Sequence, residues 1–190
     1  MTRIVVVDDH PAVRAGLVGV LRLEPGLVPV AAVGTADEAL VAVEQLDADV
    51  ALVDYHLQEF DGLVLCRRLK SLKRPPAVLI YSAFAEKGLA IPAIIAGAEG
   101  LIDKGEPTDT LFEAIRSVAR GMTTMPAVTP EVMAATAARL DTTDLPILGM
   151  LMDGTPPPEI ARVLRLEAGE VEGRLSEMLQ RLKAPLTPVP

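Results

Sequence analysis

Over residues 1–120 short apolar runs alternate with amphipathic stretches five times. The runs are Ile4–Val7, Val28–Ala32, Val50–Val53, Ala77–Tyr81 and Gly100–Ile102. They are too short for helices and rich in Val, Ile and Leu, the pattern of strands buried on both faces of a parallel sheet. Between them the apolar residues recur at helical spacing: Val13, Leu17, Val20 and Leu21 within 12–23, and Ala39, Leu40, Val43 and Leu46 within 36–46. Stretches 61–72, 86–97 and 108–120 read the same way. Thr108 and Asp109, standing before Leu111, Phe112, Ile115 and Val118, predict a capped start for the last of these helices. The result is an α/β unit of (βα)5 type, a doubly wound parallel sheet whose functional groups gather beyond the carboxyl ends of its strands.

The pattern changes after Gly121. Residues 121–130, with Pro126 and Pro130, read as a linker, and apolar periodicity then predicts helices over 130–139, 143–153, 157–164 and 169–182. The expected organisation is an α/β domain over 1–121, a linker with a helix over 122–138, a small all-α domain over 139–184 and a flexible tail over 185–190. A chain of 190 residues that is 50% hydrophobic has the material for such cores. Its one cysteine, Cys66, excludes an internal disulfide and a four-cysteine zinc site, reads as a small buried hydrophobe, and points to a reducing compartment. No apolar run approaches the roughly 20 residues that span a bilayer, so the expected location is the cytoplasm, with no membrane partner. A net charge of −8 argues against broad electrostatic affinity for nucleic acid.

The candidate chemistry lies at the strand ends. Asp8 and Asp9 follow the first run and Asp54 follows the third, and neighbouring strands bring them together. Clustered carboxylates repel one another unless a hard cation such as Mg²⁺ sits among them. Ser82 ends the fourth run and Lys104 follows the fifth, adding a hydroxyl and an ammonium to the same rim. Such a set suits a phosphoryl group: an aspartate beside Mg²⁺ attacks a phosphoryl donor while metal, hydroxyl and lysine share the charge on the transferring oxygens. Asp54 is the candidate nucleophile.

These residues resemble a known family, the receiver domain of bacterial two-component response regulators, most closely of the NarL/FixJ class. Ile4-Val5-Val6-Val7-Asp8-Asp9-His10-Pro11 with Arg14 and Gly16 is similar to the family's first strand and acidic pair. Val53-Asp54 followed by Asp61-Gly62, Tyr81-Ser82-Ala83, and Gly97-Ala98 through Asp103-Lys104 resemble its phosphoacceptor, hydroxyl and lysine segments. The resemblance implies a flavodoxin-like receiver with Asp54 as phosphoacceptor, Asp9 as direct Mg²⁺ ligand, Asp8 acting mainly through water, and the His56 backbone carbonyl completing the protein ligands. It further implies that Ser82 bonds a phosphoryl oxygen and moves with the loop after strand four, while Lys104 pairs with the phosphoryl charge. The chain departs from the family at two places: Leu101 stands where a Tyr or Phe switch residue is usual, and Gln58 replaces a proline. His56 is either an exposed loop histidine or a group that positions or excludes attacking water.

The helical segment is similar to a LuxR-type helix-turn-helix. Ile147, Leu148, Leu151, Met152, Gly154, Glu159-Ile160-Ala161, Val163, Leu164 and the stretch from Val171 to Leu182 carry its apolar pattern. Its surface differs. Pro156-Pro157-Pro158 removes backbone N–H groups that a helix start offers to phosphate, and Glu167, Glu170 and Glu172 occupy recognition-helix places that the family fills with small polar or basic residues. Over 139–190 eight acidic residues outnumber six basic ones, whereas modules that bind DNA are usually basic on the contacting face. Arg162, Arg165, Arg174 and Arg181 are the candidate DNA contacts.

Two outputs compete. In one, the chain is a transcriptional regulator that takes its phosphoryl group from a sensor histidine kinase or a small phosphodonor and binds promoter DNA, as a homodimer. In the other, a degenerate helix-turn-helix binds a protein partner under phosphoryl control. A phosphate-ester hydrolase is disfavoured because Asp8-Asp9-His10 lacks the Asp-x-Asp spacing those enzymes share, and the chain reads as a switch and not as an enzyme.

Overall fold

The computed structural model describes residues 1–58, 61–83 and 88–183. Five strands, β1 (Thr2–Val7), β2 (Leu27–Val33), β3 (Val50–Asp54), β4 (Ala77–Ser82) and β5 (Gly100–Asp103), form one parallel sheet in the order β2-β1-β3-β4-β5. The central strands β1, β3 and β4 are buried almost throughout, as their unbroken apolar runs require. Edge strand β2 is only half buried and carries Pro29, whose missing N–H is tolerated at a sheet edge; the β1–β2 register slips next to it, between Ile4 and Val5.

The crossover helices are α1 (Pro11–Leu23), α2 (Ala36–Gln45), α3 (Gly62–Lys70), α4 (Ala90–Ala96) and α5 (Thr108–Ala119). Thr35 caps α2 by accepting from the Glu38 amide, and Asp61 caps α3 by accepting from the Val64 amide at 2.9 Å. The capped start expected of Thr108 and Asp109 is not what forms at α5. Pro107 holds the N-cap position without a side-chain bond, and Asp109 lies in the first turn, where its charge favours the helix N-terminus. The fourth helix begins at Ala90, later than expected, and residues 84–87 of the expected stretch lie outside the described residues.

The linker is less free than its prolines imply. Thr124 donates to the Glu99 carbonyl at 2.8 Å and its own carbonyl accepts from the Leu101 amide at 3.0 Å, so the chain leaves α5 pinned along the outer edge of β5. Gly100 admits this strap, since a Cβ there would press on the Thr124 hydroxyl and lie 2.6 Å from a Leu79 methyl. Four helices follow: α6 (Pro130–Ala137), α7 (Leu145–Met152), α8 (Pro157–Leu164) and α9 (Ala168–Lys183). The expected tail lies outside the described residues.

Two apolar clusters fill the molecule. One lies between the sheet and α1 with α5. The other begins between the sheet and α2, α3 and α4 and continues without interruption into α7, α8 and α9. The continuity is made at α4, which packs against both α7 and α9. Its sequence, Ala-Ile-Pro-Ala-Ile-Ile-Ala, has no polar side chain, and a helix apolar on all sides needs cover on all sides. The sheet covers one side and the C-terminal helices the other.

Candidate functional site

At the carboxyl end of the sheet β1, β3 and β5 deliver Asp8, Asp54 and Lys104 to one pocket. The Lys104 ammonium lies 3.0 Å from Asp8 Oδ2 and 2.9 Å from Asp54 Oδ2. Both carboxylates are buried, at 1% and 4% exposure, so they form a charged pair in a poorly solvated place with one cation between them. Their other oxygens are held by the turns that follow: Asp8 Oδ1 accepts from the His10 amide at 2.8 Å, and Asp54 Oδ1 accepts from the His56 amide at 3.2 Å. Ser82, fully buried, sits at the end of β4, and its carbonyl accepts from the Lys104 amide at 2.8 Å, which fastens the hydroxyl strand to the lysine strand.

Burial drives the electrostatics. It pushes the Asp54 carboxyl above the ordinary carboxylate range, and the Asp8 charge adds to the rise, while Lys104 and the His56 amide oppose it. For Lys104, burial acts to lower the ammonium, but the hydrogen bonds and charges of Asp54 and Asp8 outweigh it and raise the group above its ordinary value. The pocket thus holds a carboxylate kept more basic than usual beside a firmly protonated lysine. The ammonium also lies 5.3 Å from the Tyr81 ring centroid.

Asp8, Asp9, His10 and Asp54 each offer a ligand atom, and these atoms lie within 4.8 Å of one another. The residues fit a divalent cation on one observation in particular. Asp9 Oδ1 is buried and accepts no hydrogen bond, although the His10 imidazole nitrogen lies 2.7 Å away, and a cation would give this acceptor-only oxygen a partner. Mg²⁺, with its demand for oxygen donors, matches the three carboxylates.

The loop after β3 is folded back on itself: His56 bridges to Asp61, and the Gly62 amide donates to the Tyr55 carbonyl at 2.7 Å. Gly62 is required here, because a Cβ would press on the Asp54 carbonyl oxygen and lie 3.0 Å from Tyr55 Cα. His56 itself is exposed, its ring set edge-on to Tyr55 at 4.7 Å. Leu101 is buried with the core at 4% exposure and offers no hydroxyl to rotate. A cleft of about 700 Å³ opens elsewhere, at the amino ends of β3 and β4 among Glu44, Asp47, Lys73 and Arg74. It shares no residue with the strand-end pocket.

The four arginines proposed for DNA are placed unequally. Arg162 is exposed and pairs with Glu159 at 3.1 Å, and Arg165 is exposed in the turn between α8 and α9, in left-handed conformation with φ of 56°. Arg174 and Arg181 turn inward to Asp144, at 3.3 and 3.0 Å, and Arg181 also reaches Asp141 at 2.6 Å. Asp144 is buried, so these two arginines neutralise a carboxylate within the helical module. The acidity of α9 has a partner as well. Arg67 of α3 bonds the Glu172 carboxylate and, at 3.1 Å, its carbonyl, and Lys183 pairs with Asp61. Both ends of α9 are therefore tied to α3, one of them at the residue that closes the phosphoacceptor loop. No signal in the linear sequence marked Asp144, Arg67 or Asp61 for these roles, since each partner is distant in the chain.

The chain matches the response regulator receiver domain family over residues 4–116. Among curated proteins it is 31% identical to the transcriptional activator protein ExaE of Pseudomonas putida, over 95% of this chain and 89% of that one. It is 29% identical to the DNA-binding transcriptional activator DevR/DosR of Mycobacterium tuberculosis, over 96% of this chain and 88% of that one. Among solved structures it resembles a LuxR-family two-component response regulator from Aurantimonas sp. SI85-9A1, with a TM-score of 0.62 and 28% identity over 73% of this chain and 97% of that one. The response regulator ChrA of a heme-sensing two-component system matches with a TM-score of 0.56 and 27% identity over 96% of this chain and 90% of that one. Both the strand-end pocket and the helices after it thus have counterparts in one kind of protein, and the chain belongs to the response regulators of the NarL/LuxR type.

Proposed function

We propose that this chain is a two-component transcriptional regulator switched by phosphorylation of Asp54. The observation that carries the reading is Lys104 set between the buried carboxylates of Asp8 and Asp54, with buried Ser82 fastened beside it. In the transfer an Asp54 carboxylate oxygen forms a bond to phosphorus as the bond to the donor's leaving group breaks. The leaving group is the histidine of a sensor kinase or the carboxylate of a small acyl phosphate. Asp8, Asp9, Asp54 and the His56 carbonyl would hold Mg²⁺, which supplies charge neutralisation at the transferring oxygens. Lys104 exchanges its carboxylate contacts for the phosphoryl charge, and Ser82 donates to a phosphoryl oxygen, drawing in the end of β4.

The receiver occupies residues 1–121, the linker with α6 122–138, and the helix-turn-helix 139–184. The output is transcription. The relatives named transcriptional activators align along nearly the whole chain, helical module included, and this favours DNA over a foreign protein partner. Glu172, which made a protein partner attractive, is already occupied by Arg67. In the unphosphorylated form α9 is held on α3 and α4, and a phosphoryl group at Asp54 acts on that hold through the short loop to Asp61 and Lys183. Release of α9 frees the helical module to present Arg162 of α8 and Arg165 of the following turn to promoter DNA, with a homodimer supplying two such modules. Among the described residues no helix is long and apolar enough to cross a membrane, and we place the protein in the cytoplasm. Incubation with acetyl phosphate and Mg²⁺ tests the reading: wild type takes up one phosphoryl group and Asp54→Asn none, whereas labelling of the variant would overturn the site.

A further inference from the structure

Lys104 follows the edge strand β5, yet its ammonium is delivered to Asp54 on β3 and to Asp8 after β1. Two strand spacings, about 10 Å, separate β5 from β3, so the lysine side chain has to cross the end of β4. Its stem is flexible and ends in a point charge that water hydrates strongly. In the resting pocket the two carboxylates hold that charge, at 3.0 and 2.9 Å. These are the contacts that change when Asp54 takes a phosphoryl group.

A contact independent of both carboxylates comes from β4. Its last two residues are Tyr81 and Ser82, which the pleat turns to opposite faces of the sheet. The register partner of Tyr81 on β5 is Ile102, two residues before Lys104, so by the same alternation Tyr81 and Lys104 start from one face. Tyr81 packs against the apolar cluster under α1 and α5, which fixes its ring, and the Lys104 ammonium lies over that ring, 5.3 Å from the centroid. At that distance the negative face of an aromatic ring attracts a cation. The attraction comes from the ring and not from the hydroxyl, and it occupies no oxygen of Asp8 or Asp54.

We propose that Tyr81 is a positioning residue for phosphotransfer: the face of its ring holds the Lys104 ammonium over the pocket while Asp54 exchanges its carboxylate contact for a phosphoryl group. The inference rests on reading Asp54 as phosphoacceptor and Lys104 as partner of the phosphoryl charge.

The test follows phosphoryl uptake from acetyl phosphate and Mg²⁺ by intact-chain mass in wild type, Tyr81→Phe and Tyr81→Leu. Tyr81→Leu, which loses the ring, is expected to slow uptake about threefold to tenfold, and Tyr81→Phe, which keeps it, to stay within about twofold of wild type. In a Lys104→Ala background Tyr81→Leu should have no further effect. Without any variant at position 81, the ε-methylene protons of Lys104 should resonate upfield of those of the other lysines, shielded by the ring, both in free protein and with beryllofluoride at Asp54. Uptake by Tyr81→Leu at the wild-type rate, equal slowing in Tyr81→Phe, equal slowing in the Lys104→Ala background, or unshielded Lys104 protons in wild type each overturn the role of Tyr81 and leave the phosphoacceptor in place. Absence of uptake by wild type, or uptake by Asp54→Asn, overturns the phosphoacceptor itself, and the role of Tyr81 with it.

Discussion

The strand-end pocket and helix α9 are both rich in charge, yet they use it in opposite ways. In the pocket, Asp8, Asp54 and Lys104 are crowded into a buried space where two carboxylates share one ammonium and Asp9 Oδ1 accepts no hydrogen bond, with only the exposed His10 imidazole beside it. Its charges are not satisfied among themselves, which is the condition for accepting a cation and a phosphoryl group. On α9 the charges are matched within the chain: Arg174 and Arg181 with Asp144, Glu172 with Arg67, and Lys183 with Asp61. Unpaired charge marks where chemistry enters, and paired charge marks where one part of the molecule is held against another.

The contrast can be broken most severely at Asp54. Asp54→Asn is expected to lose phosphotransfer completely while the fold persists, as measured by mass spectrometry of the intact chain beside circular dichroism. Stability is the next largest effect. Gly62→Ala forces a methyl against the backbone of Asp54 and Tyr55 and should cost about 1–3 kcal/mol in urea unfolding. Asp144→Ala frees two arginines from their shared carboxylate and should cost about 1–3 kcal/mol.

At the contact between α3 and α9 the expected cost is smaller. Arg67→Ala and Lys183→Ala each remove a surface pair contributing up to about 1 kcal/mol, because the apolar cover of α4 carries most of the docking. Their signature is faster amide exchange in α9 with little change in the global melting temperature.

Titration separates the two regions most finely. In metal-free protein the Asp54 carboxyl is raised above its ordinary 3.8, first by burial and then by Asp8. The folded chain therefore holds that proton more tightly than the unfolded chain. The stability this confers is complete below the ordinary value and is lost as pH rises through the raised one. Thermal unfolding in a chelator should show wild type losing stability relative to Asp54→Asn as pH climbs out of the acid range. A difference that stays flat with pH would mean that burial does not govern this carboxyl.

Much of the receiver was legible because its signals are local. Unbroken apolar runs predict buried parallel strands, and a polar residue just after such a run lies at the functional edge; Asp8, Asp54, Ser82 and Lys104 all follow that rule. The core of the helical module was legible for the same reason, from Ile147 through Leu179. What escaped was pairing over distance. Nothing in the order of residues brings Arg67 to Glu172 or Arg174 to Asp144, so charges that the structure spends internally looked available for DNA or for another protein. One signal was present and unread: α4, with no polar side chain, calls for a second covering surface. His10 was visible only as part of a motif, because its nearness to Asp9 depends on the turn that its own amide makes.

The central claim is that charge at Asp54 governs the hold of the receiver on α9. Hydrogen exchange of the full chain with Mg²⁺, with and without beryllofluoride as a phosphoryl mimic, tests it most directly. The account predicts that the mimic accelerates exchange in α4 and α9 of wild type and leaves Asp54→Asn unchanged. Equal exchange in wild type with and without the mimic, once its binding at Asp54 is established, would contradict it.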